Sequence, residues 1–240
     1  MNINEFSDGF TTLLNSYSLK PEFGEQKAVR DIVLNEYEKS LLLTKSQEEL
    51  TVALYKGQNI EGKSFEETEA MRRALEYLVH TKEYLGSDAL TTHPIPVHDD
   101  SVFFALPSVP KVMFITMEQV IFGGKECYKG DRVNVYPTTQ DEFNIIKNNP
   151  FRGANDRRVL RLDCGENMVE LISKYDIDKY IIRYLRRPKP IILVPLTGTN
   201  LSIDGDTVAQ TSELPEILHE TILERAVLMA LRTKGIHTDK

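Results

Sequence analysis

The apolar periodicity of this 240-residue chain changes twice, and those changes limit its fold more than any single motif. In the first third, Ile3, Phe6, Phe10, Leu13, Leu14 and Tyr17 recur at three- and four-residue spacing, the stripe of an amphipathic helix. Lys20-Pro21 stops it, because a residue before proline is pushed out of the α region. A second helical pattern uses Ala28, Val29, Ile32, Val33 and Tyr37. Ser46-Gln47-Glu48-Glu49 reads as a capping box opening a short helix through Leu50, Ala53 and Leu54. Ser64-Phe65-Glu66-Glu67 reads as another, opening a helix with Ala70, Ala74, Leu75, Leu78 and Val79 inward and Gly86 as its C-cap.

From about residue 90 the spacing becomes that of strands. Residues 102–106 and 112–115 are separated by Pro107 and Pro110, Val133 and Val135 alternate with polar neighbours, and 159–162, 168–172, 177–185 and 191–194 follow. Thr139-Gln140-Asp141-Glu142 is a third capping box and starts a short helix that ends at Asn149-Pro150. Pro215 and Gly235 then bound a last helix over 216–234, with Leu218, Ile222, Ala226 and Met229 on its core face and Val227 and Ala230 flanking it. The expected class is α+β: a helical N-terminal region, an antiparallel β-rich middle with a short helix, and a long C-terminal helix, not a βαβ series. The expected division is a helical region over 1–90 and a β-rich region over 91–240 closed by the C-terminal helix, together one integrated domain.

Lys+Arg 29 against Asp+Glu 36 gives a net charge of −7, which argues against a general nucleic-acid coat or a membrane-surface protein. Two cysteines, Cys127 and Cys164, are too few for a disulfide scaffold or a closed zinc site. The N-terminal residues show neither a basic nor an apolar signal region, and no stretch reaches the roughly 18 apolar residues of a membrane span. A soluble chain made in a reducing compartment is expected.

Gly57-Gln58-Asn59-Ile60-Glu61-Gly62-Lys63-Ser64 fits the phosphate-binding P-loop pattern. A working P-loop leaves a buried strand, whereas the residues before Gly57 have helical spacing, and no later apolar run ends in a metal-binding aspartate. A helix–loop–helix turn capped by Ser64 is the favoured reading, with a nucleotide-binding enzyme as the alternative. His219-Glu220 begins like a zinc-protease helix, but Leu223 stands where the second ligand belongs. His98-Asp99-Asp100 suits one corner of a hard-metal site or an ordinary polar loop. No catalytic, cofactor or metal site is expected.

Charge is uneven along the chain: residues 150–190 carry 10 basic and 6 acidic side chains inside an acidic protein. Arg152, Arg157, Arg158 and Arg161 lead this island; Arg183, Arg186, Arg187 and Lys189 close it. Arginine binds carboxylate and phosphate through paired hydrogen bonds. The cluster suits ordinary surface charge, a subunit interface with an acidic partner, or DNA-backbone contact. In a strand, Arg183 and Arg187 share one face and Arg186 points to the other, toward solvent or a second protein.

The stretch Tyr136-Pro137-Thr138-Thr139-Gln140-Asp141-Glu142-Phe143, closed by Asn148-Asn149-Pro150-Phe151, resembles a pattern in tailed-phage neck proteins. So do the segment from Tyr180 through Arg186-Arg187-Pro188-Lys189-Pro190 to Leu193, and Leu214-Pro215-Glu216-Ile217-Leu218-His219-Glu220 with Glu224-Arg225-Ala226-Val227. Upstream, Ser64-Phe65-Glu66 with Glu69, Arg72, Arg73 and Leu75 also fits. Over roughly 60–240 the chain is similar to head-to-tail connector ring proteins of short-tailed, crAss-like bacteriophages. That resemblance implies a non-enzymatic virion protein without cofactors, made in the host cytoplasm and closing into a dodecameric ring below the portal. The ring would continue the DNA channel, serve DNA ejection, and touch the portal, a neighbouring ring or tail proteins. An adaptor outside a virion is a further alternative. Arg183, Arg186, Arg187 and Lys189 are the expected interface residues.

Overall fold

The computed structural model describes residues 1–18, 33–58, 64–65, 67–93, 98, 100–124 and 128–233. Asn59 to Lys63, Glu66, Asp99, Cys127 and Gly235 lie outside them, as do Lys20-Pro21 and the Ala28–Ile32 part of the second helical pattern. Two compact units result, a helical one from 1–77 with 188–240, and a sheet unit from 78–187. Within the helical unit the C-terminal helix packs with the N-terminal helices.

The helical unit contains α1 (Ile3–Ser18), α2 (Glu36–Lys56), a short α3 (Glu69–Ala74) and α5 (His219–Thr233). The α1 stripe buries Phe6, Phe10 and Leu14 as its spacing predicts. Helix α5 buries Ile222, Leu223, Ala226, Val227, Ala230 and Leu231, while Leu218 and Met229 are only half-buried. Its core stripe is therefore rotated slightly from the expected one. The two helices approach closely at Gly9, where an added Cβ would stand 2.9 Å from Leu223 Cδ2.

Helix α2 is longer than its capping signals suggest. Asn35 caps it: its side chain accepts from the Glu38 N–H at 2.8 Å, and the Glu38 carboxylate accepts from the Asn35 N–H at 2.9 Å. Ser46 is not a cap but a buried mid-helix residue whose hydroxyl donates to the Ile222 carbonyl at 2.7 Å. Gly57 ends the helix in the left-handed region at φ 74, where glycine carries no Cβ strain. A helix, not a strand, thus precedes the P-loop-like segment.

Residues 191–194 look like a strand yet join no sheet. Their backbone is held by one face of α2: Ser40 and Thr44 hydroxyls accept from the Leu193 and Ile191 N–H groups at 3.0 Å each, and Gln47 donates to the Lys189 carbonyl at 2.8 Å. A bridge between Ile192 and Gln210 adds to this. Helical side chains at 40, 44 and 47 do the work of a neighbouring strand.

In the sheet unit, β1 (Val79–Leu85), β2 (Ser101–Ala105), β3 (Val112–Phe122), β4 (Arg132–Pro137), β5 (Arg158–Gly165), β6 (Met168–Ile172) and β7 (Ile177–Arg186) form one sheet in the order β1-β7-β3-β4-β5-β6-β2. Strand β1 occupies residues expected to finish a helix; Thr68, not Ser64, caps the preceding α3, and Gly86 follows a strand. The α+β class is borne out, with one qualification to the antiparallel middle. Strands β4 and β5 pair in parallel, joined by α4 (Gln140–Ile146), which Thr139 caps as its sequence predicts. Phe143 and Ile146 of α4 pack on Leu160, Leu162 and Ile172.

The sheet curls until its two outermost strands meet through side chains. The Tyr84 ring of β1 lies 5.6 Å from Phe104 of β2, and its hydroxyl donates to the Ala105 carbonyl at 2.8 Å. Register shifts along β3 at Val112/Phe114, Ile115/Met117 and Ile121/Phe122 give the strand its bends. Tyr180, Val120, Val159 and Leu171 fill the interior.

Candidate subunit interface

Alternation along β7 separates the arginines of the basic island. Tyr180, Ile182, Tyr184 and Arg186 fall on the buried side, whereas Arg183 is exposed. Register places Arg183 between Thr81 of β1 and Met117 of β3. Among the described residues no acidic side chain pairs with it. Arg187, just past the strand, is half-buried, and its N–H donates to the Lys111 carbonyl at 2.9 Å. Arg186 is 9% exposed; its Nε donates to His80 Nε2 at 2.9 Å and its Nη1 to the Arg187 carbonyl at 3.3 Å. The expectation that Arg186 faces solvent or a second protein is corrected: the inward row of β7 holds it inside the subunit.

Lys189 belongs to the helical unit. Its exposed side chain stands 3.6 Å from Glu213, whose carboxylate also accepts from the Lys189 N–H at 3.0 Å.

The leading half of the island forms a second cationic place. The Arg158 guanidinium lies 4.1 Å over the Tyr136 ring, beside Phe151, and Arg152 pairs with Glu142 at 2.9 Å. Arg161 instead points into the sheet's interior. Its Nη1 donates to Glu118 at 2.5 Å, and the Tyr180 hydroxyl donates to the other Glu118 oxygen. Arg161 Nε lies 3.3 Å from Asp163, within ion-pair range but outside hydrogen-bond geometry. Burial pushes the Glu118 carboxyl up, while Arg161 and the Tyr180 hydroxyl oppose that shift.

A second buried carboxylate, Glu170, accepts from the His98 N–H at 3.2 Å and meets His98 Nδ1 at 3.0 Å, with Cys164 Sγ 3.8 Å away. Burial, then the Glu170 charge, pushes the Cys164 thiol up, the opposite of an activated nucleophile. The sequence gives no hint of this pairing, since 98 and 170 meet only through the β2–β6 ladder. Among the described residues no group of three His, Cys, Asp or Glu side chains could hold a metal ion, and no helix is long and apolar enough to cross a membrane.

What this surface serves is narrowed by kinship. Over residues 1–240 the sequence matches the family described as phage tail ring protein 3/4. The chain belongs to that family. It is 44% identical over 237 residues to Ring protein 3 of Bacteroides phage crAss001, covering 98% of this chain and 96% of that relative. It is also 28% identical over 238 residues to Ring protein 4/5 of the same phage, covering 96% and 92%. The resemblance to crAss-like phage ring proteins is borne out, and it extends through the first sixty residues, beyond the motifs that carried it.

Proposed function

We propose that this chain is a structural, non-enzymatic virion protein whose copies close into a ring of the phage head–tail connector. The observation that carries this reading is the family match over the full 240 residues. In this reading the protein is made in the host cytoplasm and enters the neck, where twelve copies, the number the resemblance suggests, encircle the DNA path below the portal. No cofactor takes part, and the two units work as one connector subunit. The ring stacks axially on the portal, another ring or tail proteins, and DNA crosses it during ejection.

Ring closure needs a head-to-tail contact between two unlike surfaces, repeated by rotation. Charge supports that arrangement. Residues 1–77 and 188–240 carry 14 basic and 21 acidic side chains, and 78–187 carry 15 of each, so the whole net charge of −7 sits in the helical unit. Arg183, Arg187 and Lys189 are the cations assigned here to neighbour contacts, and Arg186 supports them from inside. A net negative subunit also suits a DNA conduit, because like charge keeps the duplex from adhering.

Cryo-electron microscopy of purified particles tests the reading: a closed ring of this chain in the neck is expected, and particles lacking it would refute the assignment. Arg183→Glu combined with Arg187→Glu should block incorporation while circular dichroism stays that of the wild type. Normal incorporation of the double variant would return these arginines to ordinary surface charge.

A further inference from the structure

Two strongly exposed apolar side chains stand among charges of opposite sign. On the sheet unit, Phe151 is 85% exposed and borders an open pocket of about 400 Å³ shared with Tyr136, Pro150, Arg157 and Arg158. The loop that presents it is tied down by its own asparagines. Asn149 Oδ1 accepts from the Phe151 and Arg152 N–H groups at 2.9 and 3.2 Å, Asn155 Oδ1 accepts from the Arg157 N–H at 2.9 Å, and Asn155 Nδ2 donates to the Pro150 carbonyl at 3.0 Å. Phe151 is therefore fixed in water by a bonded turn, beside the outward Arg157 side chain.

On the helical unit, Ile217 is 84% exposed in the turn that leads into α5. Glu220 and Glu224 of α5 follow, exposed and four residues apart on one helix face, and exposed Glu216 precedes Ile217 in the turn. Glu216 stands 3.6 Å from the Met1 amino group. Among the described residues no basic side chain pairs with Glu220 or Glu224. One place is an aromatic socket edged by Arg157 and Arg158, with Asp156 3.8 Å from Arg157 Nε, and the other is an aliphatic knob edged by carboxylates.

We propose that these places are the two halves of one contact between copies of this chain: Ile217 of one copy seats beside Phe151 of the next, with Glu220 and Glu224 against Arg157 and Arg158. This rests on the ring reading above and names its contact. The charge pattern selects a second copy with socket against knob, because socket on socket or knob on knob would oppose like charges, and the ring reading makes that contact head-to-tail. A central apolar anchor with a charged rim suits the energetics. The anchor loses water, and the rim fixes orientation and speeds encounter. Closure compounds a modest contact, since every copy in a ring is held on two sides.

Photocrosslinking tests the proposal directly. p-Benzoylphenylalanine placed at position 151 and irradiated in assembled particles should give a species of twice the subunit mass, with the adduct in the 214–228 region of a second copy. Particles that contain the chain but give no such adduct, or one on another protein, overturn the proposal and leave the ring reading standing. Particles without the chain remove the ring reading instead. A charge exchange supplies the second arm. Arg157→Glu and Glu220→Arg should each lower incorporation about tenfold, the equivalent of about 1.4 kcal/mol, and together should restore most of it. Two folded single variants with no recovery in the pair would overturn the assigned pairing.

Discussion

The helical unit and the sheet unit bury polarity in opposite ways. In the helical unit the hidden polar groups are mostly small and neutral: Ser40, Thr44, Ser46, Gln47 and Ser212 each bond a backbone group or one another. Its ionisable groups lie mainly outside, with Lys39, held by Glu36, Ser7 and Thr11, and His219, bonded to the Leu214 carbonyl, as exceptions. The sheet unit instead encloses ionisable groups, pairing Glu118 with Arg161 and Glu170 with His98. Charge locked inside cannot reach a partner. The comparison therefore separates side chains that hold each unit together from those on offer to neighbours: carboxylates on α5, and Arg183 and Arg157 on the sheet unit.

Removing one member of a buried pair should show the contrast most strongly. Arg161→Met leaves Glu118 enclosed without its cation, which costs about 3–5 kcal/mol near neutral pH. The pH dependence identifies the cause. A carboxyl raised in the folded state contributes stability below its ordinary value near 4.5, and loses it as pH rises through the folded value. The destabilisation should therefore grow between pH 4 and pH 8, measured by chemical denaturation. A pH-independent loss would point to packing alone.

The helical unit depends on apolar packing, so its largest single loss should come from a core truncation. Ile222 is fully buried between α5 and its partners, and Ile222→Ala should cost about 2–5 kcal/mol. A change under about 0.5 kcal/mol, the range of surface substitutions, would mean that the α5 face is not core.

The elements legible in the sequence are those whose local signals agree with their packing. Helix α1, the Thr139-capped α4 and strands β2 and β4 to β7 fall where periodicity or capping places them, while β3 starts at the expected Val112 but runs on to Phe122. Strand β1 was hidden because Leu75, Leu78 and Val79 keep helical spacing across a helix, a tight turn and a strand start. Residues 191–194 carry strand composition, but side chains of α2 satisfy their backbone, a long-range arrangement no local pattern records. The basic island was visible as charge. Which arginines face outward was only half legible: alternation separates Arg183 from Arg186, but the His80 acceptor that keeps Arg186 inside lies more than one hundred residues away.

Acid should act differently on the helical unit through His219. Burial lowers the His219 pKa, opposed by the hydrogen bond of Nε2 to the Leu214 carbonyl at 2.8 Å. The Met1 amino group meets Nδ1 at 2.8 Å, Glu216 lies beyond it, and the Phe6 ring packs alongside. A depressed histidine contributes stability above about pH 6.5 that is lost progressively as pH falls toward the lowered folded value. Wild-type thermal unfolding should thus fall in temperature from pH 8 to pH 5.5, and His219→Gln, which keeps an N–H for Leu214, should reduce that slope. An unchanged slope would place the titration elsewhere.

The smallest expected effect decides where α2 begins. Ser46-Gln47-Glu48-Glu49 has the residues of a capping box, yet the reciprocal bonds are made at Asn35 and Glu38, eleven residues upstream. Asn35→Ala removes an acceptor from the first turn and should cost about 1 kcal/mol, with fraying confined to the start of α2. Ser46→Ala removes a hydroxyl that binds Ile222 O across to α5, where the carbonyl still has its helical position, and should cost about 0.5–1.5 kcal/mol. The two losses differ in place more than in size. Hydrogen exchange should rise at amides 36–39 in the first variant and around 222–227 in the second. Fraying at 47–50 in the Ser46 variant would instead restore Ser46 as a cap and split α2 in two.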